Sequence, residues 1–194
     1  MKDTLIVNLL GGSGCGKSTN ACRLFSMLKD KGIDCELVTE YVKDMVWEGR
    51  NKVFTCQPYI FGKQLYKIVR VHGQVDVIIT DRPIFLDIVY GENEGDNFRE
   101  YVLQKFNSFN NLNILLNRVK PFSPNGRNES NIAEAKAWDT KVRYWLDETQ
   151  TPYVEIDGNK DGCNEIFEAI ISRLVISKLY KEGDVINGEK KEFR

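Results

Sequence analysis

The chain has 194 residues, room for one domain of ordinary size. Its 42% hydrophobic and 28% charged content excludes the apolar-poor, charge-unbalanced composition of a disordered chain. Lys plus Arg number 27 against 28 for Asp plus Glu, a net charge of −1, so whole-molecule charge does not mark a polyanion-binding protein, although a local basic patch stays open.

Residues 4–10 (TLIVNLL) form an apolar, β-branched run that stops at glycines, the pattern of a strand buried on both faces. GGSGCGKST follows, then a helix with Ala21, Leu24, Phe25 and Leu28 at helical spacing, ended by Lys31-Gly32. Residues 35–39 (CELVT) read as a second strand. Residues 40–48 and 59–71 read as helices, broken by Gln57-Pro58. A third strand spans 75–80 (VDVIIT), with Asp81-Arg82-Pro83 and an apolar helix from Ile84 after it. A fourth strand spans 112–116 (LNILL), and residues 118–131 form a polar loop with Pro121, Pro124 and Gly126. A helix over 132–148, a strand over 153–156 (YVEI) and a last helix over 165–179 complete the pattern. The expected organisation is one domain over residues 1–180 and a polar tail over 181–194.

Strands alternating with helices predict an α/β fold with a doubly wound parallel sheet of five strands sandwiched by helices. Ligands bind such sheets at the carboxyl ends of the strands, so the residues just past each strand are the informative ones.

Residues 11–18 fit G-x-x-x-x-G-K-[ST] between a strand and a helix, the context that makes this motif specific. The glycines let backbone N–H groups converge on phosphate oxygens, and the following helix adds its positive end. The expected nucleotide-binding set is Gly12, Ser13, Gly14, Cys15, Gly16, Lys17, Ser18 and Thr19. Lys17 would reach the β- and γ-phosphates and the Ser18 hydroxyl would ligate Mg²⁺.

A GTP switch needs Asn-Lys-x-Asp, and Asn159-Lys160-Asp161-Gly162 lacks the final Asp. The large ATP-driven remodelling machines need a second helical domain for which 194 residues leave no room. A small kinase needs an acid for the acceptor hydroxyl, a carboxylate for the metal and cations for the moving phosphoryl group. The chain offers Glu40 after the second strand, Asp81 and Arg82 after the third, and Arg118, Lys120 and Arg127 in the loop after the fourth.

Each has a plainer alternative. Asp81 holds Mg²⁺ or caps the next helix. Glu40 takes a proton or favours the start of its helix. Arg82 contacts a phosphate or makes a surface ion pair. The loop cations form a lid over ATP, about residues 118–131, or a solvated loop. Lys63, Lys67 and Arg70 share a helical face beside Tyr59 and Tyr66. Lys63, Tyr66, Lys67 and Arg70 thus offer a support for a nucleic-acid strand, or simply a solvated face.

GGSGCGKST, LVTEYVKDMVWEGR, QPYIFGKQLYKIVR, VDVIITDRP, RVKPFSPNGRN and EAKAWD together resemble a group of phage-encoded P-loop ATPases. That group is related to nicotinamide riboside kinase domains and includes the 5-hydroxymethyluracil DNA kinases. The similarity runs over residues 5–157. It implies a P-loop NTPase fold of nucleoside/nucleotide-kinase type, ATP bound by Gly14, Gly16, Lys17, Ser18 and Thr19, and active-site places for Glu40, Asp81 and Arg118, with Arg127 on the lid. It implies ATP and Mg²⁺ as cofactors and DNA carrying a modified base as acceptor. Many relatives carry Ser where Arg82 stands, whereas nucleoside-kinase-like proteins have Asp-Arg there. A free nucleoside, a nucleotide or nicotinamide riboside therefore remains the alternative acceptor, and an ATP-hydrolysing module with no acceptor remains a second one.

The single His72 excludes a site built on several histidines. Five cysteines without paired spacing predict free thiols in a reducing compartment, and Cys15 is either an oxidation-sensitive group or a small residue filling its place. The first residues lead straight into a strand, and no apolar run approaches the ~20 residues of a bilayer span. The expected location is the cytoplasm, that of a host cell if the chain is phage-encoded.

Overall fold

The computed structural model describes residues 2–119, 121, 123 and 131–186. Strands β1 (Leu5–Leu10), β2 (Cys35–Val38), β3 (Val77–Thr80), β4 (Asn110–Asn117) and β5 (Val154–Asp157) form one sheet, ordered β2-β3-β1-β4-β5 and parallel throughout. The helices are α1 (Lys17–Asp30), α2 (Lys43–Trp47), α3 (Gln57–Val69), α4 (Leu86–Tyr90), α5 (Asp96–Asn107), α6 (Ile132–Glu148) and α7 (Lys160–Ile186). This is the expected α/β architecture of a P-loop NTPase. Among the described residues no helix is long and apolar enough to cross a membrane.

Strand alternation divides the core. Leu5, Val7 and Leu9 of β1 pack with Leu24 and Leu28 of α1 and Ile166 and Ile170 of α7. Ile6 and Leu10 point the other way, into Phe61, Phe85, Phe106, Val142 and Leu146 from α3 to α6. With both faces covered, β1 is buried at all six positions and reads as a continuous apolar run. Its one polar residue, Asn8, donates to the side-chain oxygens of Asn111 and Asn113, each at 2.9 Å, so the buried amide is satisfied.

The chain leaves β1 toward β2 and β3, then crosses to the opposite side at β4. This reversal opens a crevice at the carboxyl ends of the central strands. Because β1 pairs directly with β3, Asn8 opposite Thr80, Asp81 emerges about 4.8 Å, one strand spacing, from the chain entering the phosphate loop.

Three expected elements differ. The helix over 40–48 begins only at Lys43, with Val42 at its N-cap, and a 3-10 turn follows at Asn51–Thr55. The helix from Ile84 stops at Gly91 as α4, and a separate α5 starts after Gly95, whose φ of +84° makes the turn. The last helix starts earlier and runs through Ile186, so residues 181–186 of the expected tail are helical. Asn159 starts it by accepting the Gly162 N–H at 2.9 Å, and no proline stops it after Leu179. Lys120 and Arg127 of the expected lid, and residues 187–194, lie outside the described residues.

Candidate active site

The phosphate loop joins β1 to α1, with Gly16 at the helix N-cap in a left-handed conformation (φ +106°). A Cβ on Gly16 would sit 2.7 Å from the Gly158 carbonyl oxygen, so this position requires glycine both for its dihedral and for its neighbour. Gly12 is constrained from the other side: a Cβ there would lie 2.7 Å from both the Ala135 carbonyl oxygen and Asp139 Oδ1.

A cleft of about 750 Å³ opens at the carboxyl ends of the strands, a volume usual for small-molecule sites. Of the eight expected nucleotide-binding residues, Ser13, Gly14, Gly16, Lys17, Ser18 and Thr19 line it. Gly12 and Cys15 are buried and line none of it. The Gly12 N–H is taken by Asp139 Oδ1 at 2.7 Å, and Cys15 fills space under Gly11. Cys15 is therefore a packing residue.

Lys17 Nζ donates to the Gly11 and Gly12 carbonyl oxygens, both at 2.7 Å. Burial works to lower its pKa, but the electrostatic influence of Cys15, Tyr90, Glu40 and Asp81 outweighs burial and raises it above the ordinary lysine value. The ammonium is firmly charged, as a phosphate ligand must be. Ser13 Oγ is buried without a hydrogen-bond partner among the described residues, and its residue lines the cleft, which fits a site completed by phosphate oxygens.

Glu40 and Asp81 meet at the strand ends. Asp81 Oδ1 accepts the Glu40 backbone N–H at 3.0 Å, and both residues line the cleft. Neither plainer alternative holds. Glu40 precedes the N-cap of α2 and lies outside its first turn, and α4 begins at Leu86 with Phe85 at its N-cap, out of Asp81's reach as a cap.

Arg82 also lines the cleft, yet it is neither a free phosphate ligand nor a surface ion pair. Its guanidinium makes a two-point pair with Asp87, Nη1 to Oδ2 at 2.9 Å and Nη2 to Oδ1 at 2.8 Å, with both residues buried. Gln57 Nε2 donates to the same carboxylate. Burial opposes the charge on Arg82, but Asp87 outweighs it and raises the pKa. A carboxylate inside the apolar stretch FLDIVY requires a partner, and this was the sequence signal for Asp87.

Arg118 does not line the cleft. It is buried behind the phosphate loop, pairing with Asp139 at 2.9 Å and 3.1 Å and donating through Nη1 to the Ser13 carbonyl at 2.8 Å. A lid or transition-state role gives way to one of holding the loop. Asp139 carried a weaker signal, standing four residues after the small Ala135 on the α6 face that meets Gly12.

The basic face of α3 stands apart from the cleft: none of Lys63, Tyr66, Lys67 and Arg70 lines it. Lys67 Nζ is spent on the Thr39 carbonyl at 2.9 Å, and burial lowers its pKa. Lys63 lies over the Tyr59 ring, 5.4 Å from its centroid, and Tyr66 is exposed. The cleft is instead walled by Trp47, Phe54, Ile60 and Tyr90, none of which the sequence singled out, because apolar side chains in helical segments read equally well as core.

No curated protein matches the chain. A family model described as an AAA domain matches residues 6–161, from β1 to the start of α7, and so includes the phosphate loop, Glu40, Asp81 and α6. The chain belongs to this AAA domain family, whose members are nucleotide-binding proteins of the P-loop NTPase type.

Proposed function

We propose that this protein is an ATP- and Mg²⁺-dependent kinase that transfers the γ-phosphoryl group to a hydroxyl on a nucleobase-containing acceptor, with 5-hydroxymethyluracil in DNA as the leading candidate. The observation that carries the reading is the extent of the cleft. Its lining includes Lys17 and Ser18, Glu40 and Asp81, and several aromatic residues, and its volume of about 750 Å³ leaves room for an acceptor larger than water. The DNA acceptor itself rests on the family resemblance.

In this reading the loop amides and Lys17 bind the phosphates, and Lys17 exchanges its two loop carbonyls for phosphate oxygens. The Ser18 hydroxyl and the Asp81 carboxylate both line the cleft, and one or two such ligands completed by substrate phosphates and water suit Mg²⁺. When bound, the ion neutralises phosphate charge. The acceptor oxygen attacks the γ-phosphorus, the bond to the β-bridging oxygen breaks, and ADP leaves with that electron pair. Glu40 takes the hydroxyl proton. Arg118 and Arg82 act through what they hold, the phosphate loop and Asp87, and Arg127 is assigned to the lid as the cation closing over ATP.

Label transfer from γ-labelled ATP tests this on hydroxymethyluracil-containing DNA, unmodified DNA, free nucleosides and nucleotides, and nicotinamide riboside. Labelled modified DNA supports the reading. Label on a free small acceptor alone moves the assignment to a nucleoside-type kinase, a reading favoured by the cleft's separation from the basic α3 face. ATP loss with no labelled acceptor replaces both with a hydrolysing module.

A further inference from the structure

The kinase reading leaves open where the acceptor sits, and two independent features of the cleft bear on it. The first is aromatic. Trp47 on the five-residue helix α2 lines the cleft while remaining 68% exposed, and Phe54 and Tyr90 line the same cleft. An indole with this much free surface beside a cleft offers a stacking plane. The second is polar. Arg82 is only 3% exposed and lines the cleft, and its Nε is buried without a hydrogen-bond partner among the described residues. Its two terminal nitrogens are pinned to Asp87, so the guanidinium plane is fixed and cannot turn to satisfy Nε elsewhere. Buried donors left unpaired are rare, and one in the wall of a binding cleft calls for a ligand oxygen.

We infer that the cleft holds a subsite for one unpaired heterocyclic ring of nucleobase size, laid against Trp47 and Phe54, with an exocyclic carbonyl oxygen of the ring accepting from Arg82 Nε and the acceptor's hydroxyl directed to Glu40. The inference rests on the kinase reading and moves the acceptor site away from Lys63, Tyr66, Lys67 and Arg70. The ring comes either from a free nucleoside or from a base turned out of a DNA strand, since a stacked, paired base offers no open face.

Two readouts on the full chain separate this inference from the kinase reading. The first is label transfer to 5-hydroxymethyldeoxyuridine, to a single-stranded oligonucleotide carrying that base, and to the same base paired in a duplex. The second is quenching of tryptophan fluorescence by the nucleoside or the single strand, which needs no turnover. Trp47→Ala is expected to raise acceptor KM by about 5- to 100-fold while ATP affinity holds, and Trp47→Phe to abolish most of the quench. Phe54→Leu, which keeps bulk, moves KM the same way. Label on the free nucleoside alone, or on single-stranded over paired DNA, supports the subsite and names its source. Paired DNA labelled as readily as single-stranded DNA overturns it, as does transfer with an unchanged KM in Trp47→Ala. A Trp47-dependent quench without transfer keeps the subsite and removes the kinase reading, and absence of both removes both.

Discussion

Arg118 and Asp139 form a two-point ion pair behind the phosphate loop, Nε to Oδ2 at 2.9 Å and Nη2 to Oδ1 at 3.1 Å. Each partner also holds the loop: Asp139 accepts the Gly12 N–H at 2.7 Å and Arg118 donates to the Ser13 carbonyl at 2.8 Å. The pair therefore fixes two consecutive loop residues against α6. Asp139→Ala would strand a buried guanidinium and is expected to cost about 3 kcal/mol, with weaker ATP binding alongside. Arg118→Lys keeps the charge but loses the planar fork, so it should recover only part of both. Chemical denaturation and ATP titration of the two variants check this, and wild-type values for Asp139→Ala would remove the clamp.

Gly12→Ala places a methyl 2.7 Å from a backbone carbonyl and from Asp139 Oδ1. The backbone atom cannot swing aside, so α6 must shift. The expected result is a loss of about 1–3 kcal/mol together with lower ATP affinity. Gly62→Ala is the control, since a Cβ there meets nothing within 4 Å.

Lys17→Ala removes two hydrogen bonds to loop carbonyls and should leave the fold standing, with turnover lost. Glu40→Gln keeps shape and the backbone bond to Asp81, so it should cut the rate about 100-fold or more, the range of general-base effects, with ATP affinity little changed. Circular dichroism, ATP titration and single-turnover transfer separate these outcomes. Equal losses of rate and affinity in Glu40→Gln would assign that carboxylate to nucleotide binding.

All five cysteines are free, with Cys22 and Cys56 exposed and Cys15, Cys35 and Cys163 buried. Burial also pushes the Cys35 and Cys163 thiols up, which lowers their reactive thiolate fraction. A thiol reagent at neutral pH is expected to modify two residues quickly and the other three only on unfolding. Rapid loss of Cys15 in the native protein would restore its oxidation-sensitive reading.

The Glu92 carboxyl is held below the usual carboxylate range by its hydrogen bond from Lys141, which ties the turn after α4 to α6. A depressed carboxylate adds stability above its unfolded pKa and loses it as pH falls through the folded one. The wild type should therefore exceed Glu92→Gln by about 0.5 kcal/mol near neutrality, a partly exposed pair being screened. That margin should shrink as pH falls below the ordinary Glu value of about 4.3 and be lost once pH passes the lower folded value, in unfolding curves taken across the range.

The strands and the phosphate loop were legible because their signals are local. Buried parallel strands are continuous apolar runs, and the loop's glycines, Lys17 and Ser18 occupy fixed offsets between a strand and a helix. Glu40 and Asp81 were legible as residues that follow strands, and the direct β1–β3 pairing puts Asp81 beside the loop. The division of the segment after Ile84 into α4 and α5 was not legible, because Gly91 and Gly95 act through turn geometry that apolar periodicity does not record.

The sequence by itself determined the sheet's layering, the anion-binding turn and which strand ends carry carboxylates, since each depends on residues within a few positions of one another. Only the tertiary structure decided what the arginines do. Arg82 finds Asp87 five residues away and Arg118 finds Asp139 twenty-one away, and a buried guanidinium goes to whichever carboxylate the packing brings into reach. The same holds for the cleft wall, where Trp47, Phe54 and Tyr90 converge from three separate segments. Convergence of that kind is set by how α2, α4 and the turn between α2 and α3 pack on the sheet, which no local pattern encodes.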